Sequence, residues 1–175
     1  MQRVLILGNC GAGKSTLATE LAERTGLPLL HLDQHYWQPD WTPTDKSVWE
    51  STIRKLVNRP RWILDGNYAG TLDLRLPRAD TVIFLDYPTA TCLWRISRRI
   101  AKYHGRVRPG ISTGCRERFD WPFYRYVATF NLRRRPLLLQ KLATYRINKQ
   151  LHILKNDLAG AAFLSQCMIR PNDKA

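Results

Sequence analysis

The chain predicts a parallel α/β sheet of five strands with helices on both faces. Three observations carry that prediction: short unbroken apolar runs, helical apolar periodicity between them, and capping or turn residues at each changeover. Val4-Leu5-Ile6-Leu7 is the first run, bounded by Gly8, and it fits a strand buried on both faces. Leu17, Ala18, Leu21 and Ala22 then recur at helical spacing until Gly26 and Pro28 stop the helix. Leu29-Leu30-His31-Leu32 reads as a second strand ending at Asp33. Thr44 or Asp45 caps a helix carrying Val48, Trp49, Ile53, Leu56 and Val57, closed by Pro60. Trp62-Ile63-Leu64 is a third strand and Thr81–Leu85 a fourth. Thr89 opens a helix with Cys92, Leu93, Ile96 and Ile100 on one face. From Tyr103 to Asp120 the pattern collapses into glycines and arginines. Helical periodicity returns from Trp121 to about Tyr145, with Pro136 as a kink or break. Leu151–Leu154 is a fifth strand, Asp157–Met168 a last helix, and Arg170–Ala175 a frayed tail.

The 175 residues suit one domain, 1–175, with two excursions: an aromatic stretch at about 34–60 and the Gly/Arg segment at about 103–120. The formal net charge is +14, and it is lopsided. Residues 1–94 hold ten basic and ten acidic side chains, whereas residues 95–175 hold eighteen basic and four acidic, Glu117, Asp120, Asp157 and Asp173. The excess points to polyanionic partners: nucleotides, phosphorylated substrates or nucleic acid. Four scattered cysteines, Cys10, Cys92, Cys115 and Cys167, read as reduced thiols of a cytoplasmic protein. There is no secretory signal pattern and no apolar run long enough to span a bilayer, so no membrane role is expected.

Gly8-Asn9-Cys10-Gly11-Ala12-Gly13-Lys14-Ser15 matches the full phosphate-binding pattern G-x-x-x-x-G-K-[ST], between a buried strand and an amphipathic helix. Its glycines let backbone N–H groups turn inward onto phosphate oxygens, and the helix adds the positive end of its dipole. Lys14 is expected to reach the β- and γ-phosphates, Ser15 to ligate Mg²⁺, and Gly8 to Thr16 together to hold the nucleotide. Cys10 is a small filler in this loop.

Ligands of open α/β sheets sit outside the carboxyl ends of the strands, where Asp33, Asp65 and Asp86 fall. A second Mg²⁺ anchor belongs there. Asp65 and Asp86 both follow apolar runs, but Asp86-Tyr87-Pro88-Thr89 also reads as a capped turn into a helix, which puts Asp65 ahead. Asp33 either binds the phosphoryl acceptor, or acts as its general base, or caps a loop. His31-x-Asp33-x-His35 lacks the fourth ligand and spacing of a metal site.

The glycine loop, Trp62-Ile63-Leu64-Asp65-Gly66-Asn67-Tyr68 and Val82-Ile83-Phe84-Leu85-Asp86-Tyr87-Pro88 resemble the nucleoside-monophosphate-kinase pattern. Leu32–Trp41 and Gly114-Cys115-Arg116-Glu117-Arg118-Phe119-Asp120 are similar to a bacterial group of adenylate-kinase-like P-loop proteins labelled DNA topology modulation proteins (FlaR-like). The resemblance implies a P-loop NTPase core, a substrate-binding excursion after strand two, a mobile arginine-rich lid, and a metal-associated role for Asp65. One departure is clear. Adenylate kinases carry Phe-Pro-Arg after Asp-Gly, where this chain has Asn67-Tyr68-Ala69. The arginine that grips an acceptor monophosphate is missing, which argues for an acceptor other than AMP.

Arginines delivered by a closing lid stabilise charge on a moving phosphoryl group. Arg108, Arg116 and Arg118 are the expected lid residues, with Arg99 behind them. Arg133, Arg134, Arg135, Lys141, Arg146, Lys149 and Lys155 exceed what one nucleotide needs. They motivate a second expectation, a nucleotide-dependent nucleic-acid-binding or regulatory NTPase. Trp121, Phe123, Tyr124 and Tyr126 either stack on bases or pack a helix onto the core. Tyr36, Trp37, Trp41 and Trp49 either grip a planar acceptor or stiffen the excursion. The leading expectation is an ATP- and Mg²⁺-dependent phosphotransferase acting on an unidentified small molecule.

Overall fold

The computed structural model describes residues 1–145 and 149–167. Its elements in chain order are β1 (Arg3–Gly8), α1 (Lys14–Thr25), β2 (Leu29–His31), α2 (Leu32–Tyr36), β3 (Trp37–Gln38), β4 (Thr42–Pro43) and α3 (Lys46–Val57). There follow β5 (Trp62–Asp65), α4 (Leu72–Arg75), β6 (Thr81–Leu85), α5 (Thr89–Tyr103), α6 (Trp121–Arg133), α7 (Arg135–Thr144), β7 (Gln150–Leu154) and α8 (Asp157–Gln166). Five strands form one sheet in the order β2-β5-β1-β6-β7, with every pairing parallel. β3 and β4 make a separate two-stranded hairpin.

The period of two in β1 divides the core. Val4 and Ile6 face one layer with Leu17, Leu21, Ile96, Val127 and Phe163, from α1, α5, α6 and α8. Leu5 and Leu7 face the other, with Trp49, Ile53, Leu72 and Leu142 from α3, α4 and α7. Each central strand is therefore apolar on both sides, which is why these runs do not alternate in sequence. The chain has an α/β fold, a five-stranded parallel sheet covered on both faces.

Local differences from the sequence expectation have physical reasons. The second strand ends at His31, and Leu32–Tyr36 forms a short helix, so Asp33 lies in α2 rather than at a strand exit. Leu32 is buried as α2 packs onto the sheet, and its apolar character had extended the strand reading. Pro136 divides 121–144 into two helices, as a missing N–H demands. Leu72–Arg75, flanked by short 3-10 turns, is too brief to carry a helical period in sequence. Arg146, Met168 and the tail 170–175 lie outside the described residues.

Candidate active site

The carboxyl ends of β1, β2 and β5 open onto one cleft of about 1490 Å³, lined by Cys10 through Thr16, His31, Asp33, Asp65 and parts of the segment 103–120, among others. The glycine loop is its floor. α1 starts at Lys14 immediately after Gly13, so the positive end of the helix faces the cleft. Gly8 and Asn9 are buried beneath the loop and serve as its fixings. The Gly8 N–H donates to Asn67 Oδ1 at 3.0 Å, and Asn67 Nδ2 donates back to the Gly8 carbonyl at 2.7 Å. Asn9 Nδ2 donates to the Val127 carbonyl of α6 at 2.9 Å. Lys14 Nζ folds onto the loop itself, donating to the carbonyls of Gly8 (3.1 Å) and Asn9 (3.0 Å). Burial pushes the Cys10 thiol up, against the pull of Lys14, so it stays a neutral thiol at pH 7.

Asp65 is 5% exposed at the end of β5, in register with Ile6 and His31. Burial alone would raise its pKa. A hydrogen bond donated by His31 Nδ1 (3.1 Å), the Lys14 ammonium and a hydrogen bond from Ser15 outweigh burial and hold the carboxyl below the usual carboxylate range. An ionised Asp65 beside the Ser15 hydroxyl is a fit donor pair for a divalent cation. Among the described residues, no group of three or more His, Cys, Asp or Glu could hold a metal unaided. Asp86, the rival from sequence, is committed elsewhere: Arg135 grips it bidentately at 2.6 and 2.7 Å.

Asp33 faces the same cleft from α2. Its Oδ1 accepts from the Tyr68 hydroxyl at 2.6 Å and its Oδ2 from Arg108 Nη2 at 3.2 Å. The aromatic stretch divides in two. Trp49 is buried and packs with Tyr36 and Tyr68, ring centroids 5.0 Å from each, while Trp37 and Trp41 line the cleft.

Segment 103–120 lies against residues 34–41. Ser112 Oγ donates to the Gln34 carbonyl at 2.8 Å and Trp41 Nε1 to the Arg116 carbonyl at 2.8 Å. Arg108, Arg99 and Arg118 line the cleft, but Arg118 is exposed at its rim. The expectation for Arg116 is corrected. Residues 115–117 are extended, so Cys115 and Glu117 point inward and Arg116 points to solvent, outside the cleft lining. Arg95, not singled out as a phosphate ligand, lines the cleft beside Gly13 and pairs with Asp157 at 2.6 Å.

Sequence reasoning found what was missing after Asp65-Gly66 but not what replaces it. Asn67 clamps Gly8 and Tyr68 holds Asp33, so residues 66–68 join the phosphate loop to α2. Arg75, fully buried, builds that bend: its guanidinium donates to the carbonyls of Gly66 (2.8 Å), Asn67 and Tyr68 (2.8 Å). In sequence Arg75 stands between the third and fourth strand runs, in a segment with no apolar period to mark an element. Glu117, 2% exposed, stood out in sequence as one of four acids in the basic part and as a member of the segment Gly114–Asp120, with no role attached to it.

No family model matches the chain. A curated relative, the uncharacterized protein YqaC of Bacillus subtilis (strain 168), is 33% identical over 119 residues, 63% of this chain and 64% of the relative. The match thus spans a little under two thirds of that relative's length. Solved structures are similar over nearly the whole chain. Shikimate kinase from Acinetobacter baumannii, in complex with shikimate, superposes with a TM-score of 0.57 at 19% identity, covering 95% of this chain and 90% of that one. Shikimate kinase from Bacteroides thetaiotaomicron gives 0.54 at 16%, covering 94% and 95%. A sugar kinase from Janibacter sp. HTCC2649 gives 0.52 at 16%, covering 95% and 91%. At such identities the likeness is one of fold, and the fold these proteins share with this chain is that of P-loop kinases.

Proposed function

We propose that the chain is a kinase that moves the γ-phosphoryl group of Mg-ATP to a hydroxyl of a small ring compound. The observation that carries this reading is that Lys14, Ser15, Asp65, Asp33 and Arg108 all line one cleft. In this reading the loop amides and Lys14 hold the phosphates, Lys14 leaving the carbonyls of Gly8 and Asn9 to do so. Ser15 and the ionised Asp65 would hold Mg²⁺, which would supply charge neutralisation at the phosphates when bound. Asp33 accepts the hydrogen bond of the acceptor hydroxyl. It takes that proton as the new O–P bond forms and the bond to the leaving β-phosphate oxygen breaks. Arg108 and Arg118 face the moving group, with Arg99 beside them.

The acceptor class follows from the wall opposite the loop. Trp37, Trp41 and Tyr68 supply aromatic faces around Asp33, suited to a ring with a free hydroxyl. The shikimate and sugar kinases named above accord with such an acceptor. In this reading segment 103–120 is the lid and residues 34–60 the acceptor-binding excursion of one kinase-like unit. The reading extends to membership of the adenylate-kinase-like group labelled DNA topology modulation proteins. The free cysteines accord with a cytoplasmic location. Among the described residues no helix is long and apolar enough to cross a membrane.

The test is a phosphotransfer screen with purified protein and Mg-ATP against nucleosides, sugars and other hydroxylated rings. Acceptor-stimulated ADP release that Lys14→Ala abolishes supports the reading; no stimulation and no nucleotide binding removes it. A second reading, nucleic-acid binding, is favoured by one feature. Trp94, Phe119 and Trp121 are exposed, with Arg98 stacked 4.7 Å from the Trp94 ring. Salt-sensitive DNA binding that survives Lys14→Ala would support it. Much of the basic surplus is already committed, however: Arg135 to Asp86, Lys141 to Asp73 at 2.5 Å, and Lys149 to the Ala79 carbonyl at 2.5 Å.

A further inference from the structure

Four charged side chains of alternating sign cross the top of the cleft: Arg99 from α5, Glu117 and Arg108 from segment 103–120, and Asp33 from α2. Glu117 Oε1 accepts from Arg108 Nε at 2.6 Å and lies 3.2 Å from Arg99 Nε; Glu117 Oε2 accepts from Arg99 Nη2 at 3.4 Å. Arg108 then reaches past Glu117 to Asp33 at 3.2 Å. The Glu117 backbone is also fixed. Its N–H donates to the Arg106 carbonyl at 2.9 Å, and its carbonyl accepts from the Gly105 N–H at 2.9 Å.

A carboxylate this buried is costly unless paired, and here two guanidiniums share it. They are like charges held side by side. Burial and the neighbouring Arg108 guanidinium push the Arg99 pKa down, and the Glu117 carboxylate between them opposes both. The kinase reading needs arginines at the phosphoryl path, but it does not use Glu117.

We propose that Glu117 is a positioning residue, a buried carboxylate that holds Arg99 and Arg108 with their remaining N–H groups on the path of the transferred phosphoryl group. The inference rests on the kinase reading above. It also makes the lid's closure depend on charge: Arg108 bridges the lid carboxylate and the acceptor-side carboxylate, so the lid is shut when both are engaged. Glu117 is not interchangeable with glutamine, because the amide leaves Arg99 and Arg108 facing one another uncompensated.

The experiment follows acceptor-free hydrolysis of Mg-ATP, with Mg-ATP affinity titrated separately. Glu117→Gln keeps the shape and removes the charge. Its kcat is expected to fall about 10- to 100-fold, with Mg-ATP affinity changing less than about 3-fold. Glu117→Asp restores part of kcat, and serves as the informative variant if Glu117→Gln does not fold. In an Arg108→Gln background, Glu117→Gln adds little further loss, because the two act as a unit. Wild-type kcat in Glu117→Gln, or a loss confined to thermal stability, overturns the positioning role alone. A wild-type protein that neither binds nor hydrolyses Mg-ATP overturns the kinase reading, and this inference with it.

Discussion

The floor and the roof of the cleft are built by different means. The floor, residues 8–15, is backbone held by backbone and by two asparagines: Asn67 clamps Gly8, and Asn9 ties the loop to α6. The roof is made of side chains reaching across from unrelated segments, the Arg99–Glu117–Arg108–Asp33 chain and the indoles of Trp37 and Trp41. A loop fixed through its backbone presents N–H groups with little freedom to lose, as phosphate binding requires. In the kinase reading the roof, held by side-chain ion pairs between separate segments, is the part that opens and closes for substrate exchange. The difference teaches that damage to the floor's backbone fixings shows first in binding and folding, and damage to the roof's chain of charges in turnover.

The largest effect expected is on the floor. Lys14→Ala lowers ADP formation from Mg-ATP by about 100- to 1000-fold, read by a coupled assay, while far-ultraviolet circular dichroism stays that of the wild type. Asp86→Asn, at a neighbouring strand end but bound to Arg135, leaves Mg-ATP turnover within about 3-fold and so separates the two aspartates. Asp65→Asn gives the large loss instead.

Two glycines of the loop divide the floor further. A Cβ on Gly11 would lie 2.4 Å from the Cys92 carbonyl, at φ +81°, whereas one on Gly13 has nothing nearer than an Arg95 nitrogen at 3.6 Å, at φ +95°. Gly13→Ala therefore carries the left-handed strain alone, about 1–2 kcal/mol. Gly11→Ala adds a backbone clash and loses at least about 2 kcal/mol more in urea unfolding. Equal losses would show that the contact with α5 does not constrain the loop. Asn67→Ala, which removes both bonds to Gly8, is expected to cost about 1–3 kcal/mol and to raise the KM for ATP.

pH sharpens the comparison from the floor side. Asp65 has its pKa depressed in the folded chain, so its contribution to stability is complete above the ordinary carboxylate pKa and is lost as pH falls through the lower folded value. Acidification below about pH 4 is expected to cost the wild type more stability than Asp65→Asn, by thermal melts across pH. The smallest effect belongs to the roof. Trp41→Phe removes the bond to the Arg116 carbonyl and lowers stability by about 1 kcal/mol or less.

The same contrast explains what could be read in advance. The floor was legible because a strand, a tight glycine turn and a helix start are contiguous, and their geometry demands particular residue types at fixed spacing. The three central strands were legible for a similar reason: burial on both faces leaves runs such as Val4–Leu7 and Thr81–Leu85, with no polar alternation. The roof depends on partners 75 residues apart for Asp33 and Arg108 and 18 apart for Arg99 and Glu117, which no local pattern marks. Arg116 was placed at the cleft because its charge was read without its direction; the extended run 115–117 turns it outward and brings Glu117 in. Arg75 stayed hidden because a buried arginine bonded to three carbonyls looks, in sequence, like any solvated one.

The central claim is that floor and roof serve one phosphoryl transfer, with the acceptor hydroxyl at Asp33. The most direct measurement is the split between Mg-ATP affinity, by calorimetric titration, and acceptor-dependent turnover in Asp33→Asn. The account predicts affinity within about 3-fold of the wild type and turnover lowered by about 100-fold or more. Unchanged turnover in Asp33→Asn, with Mg-ATP bound normally, would contradict it.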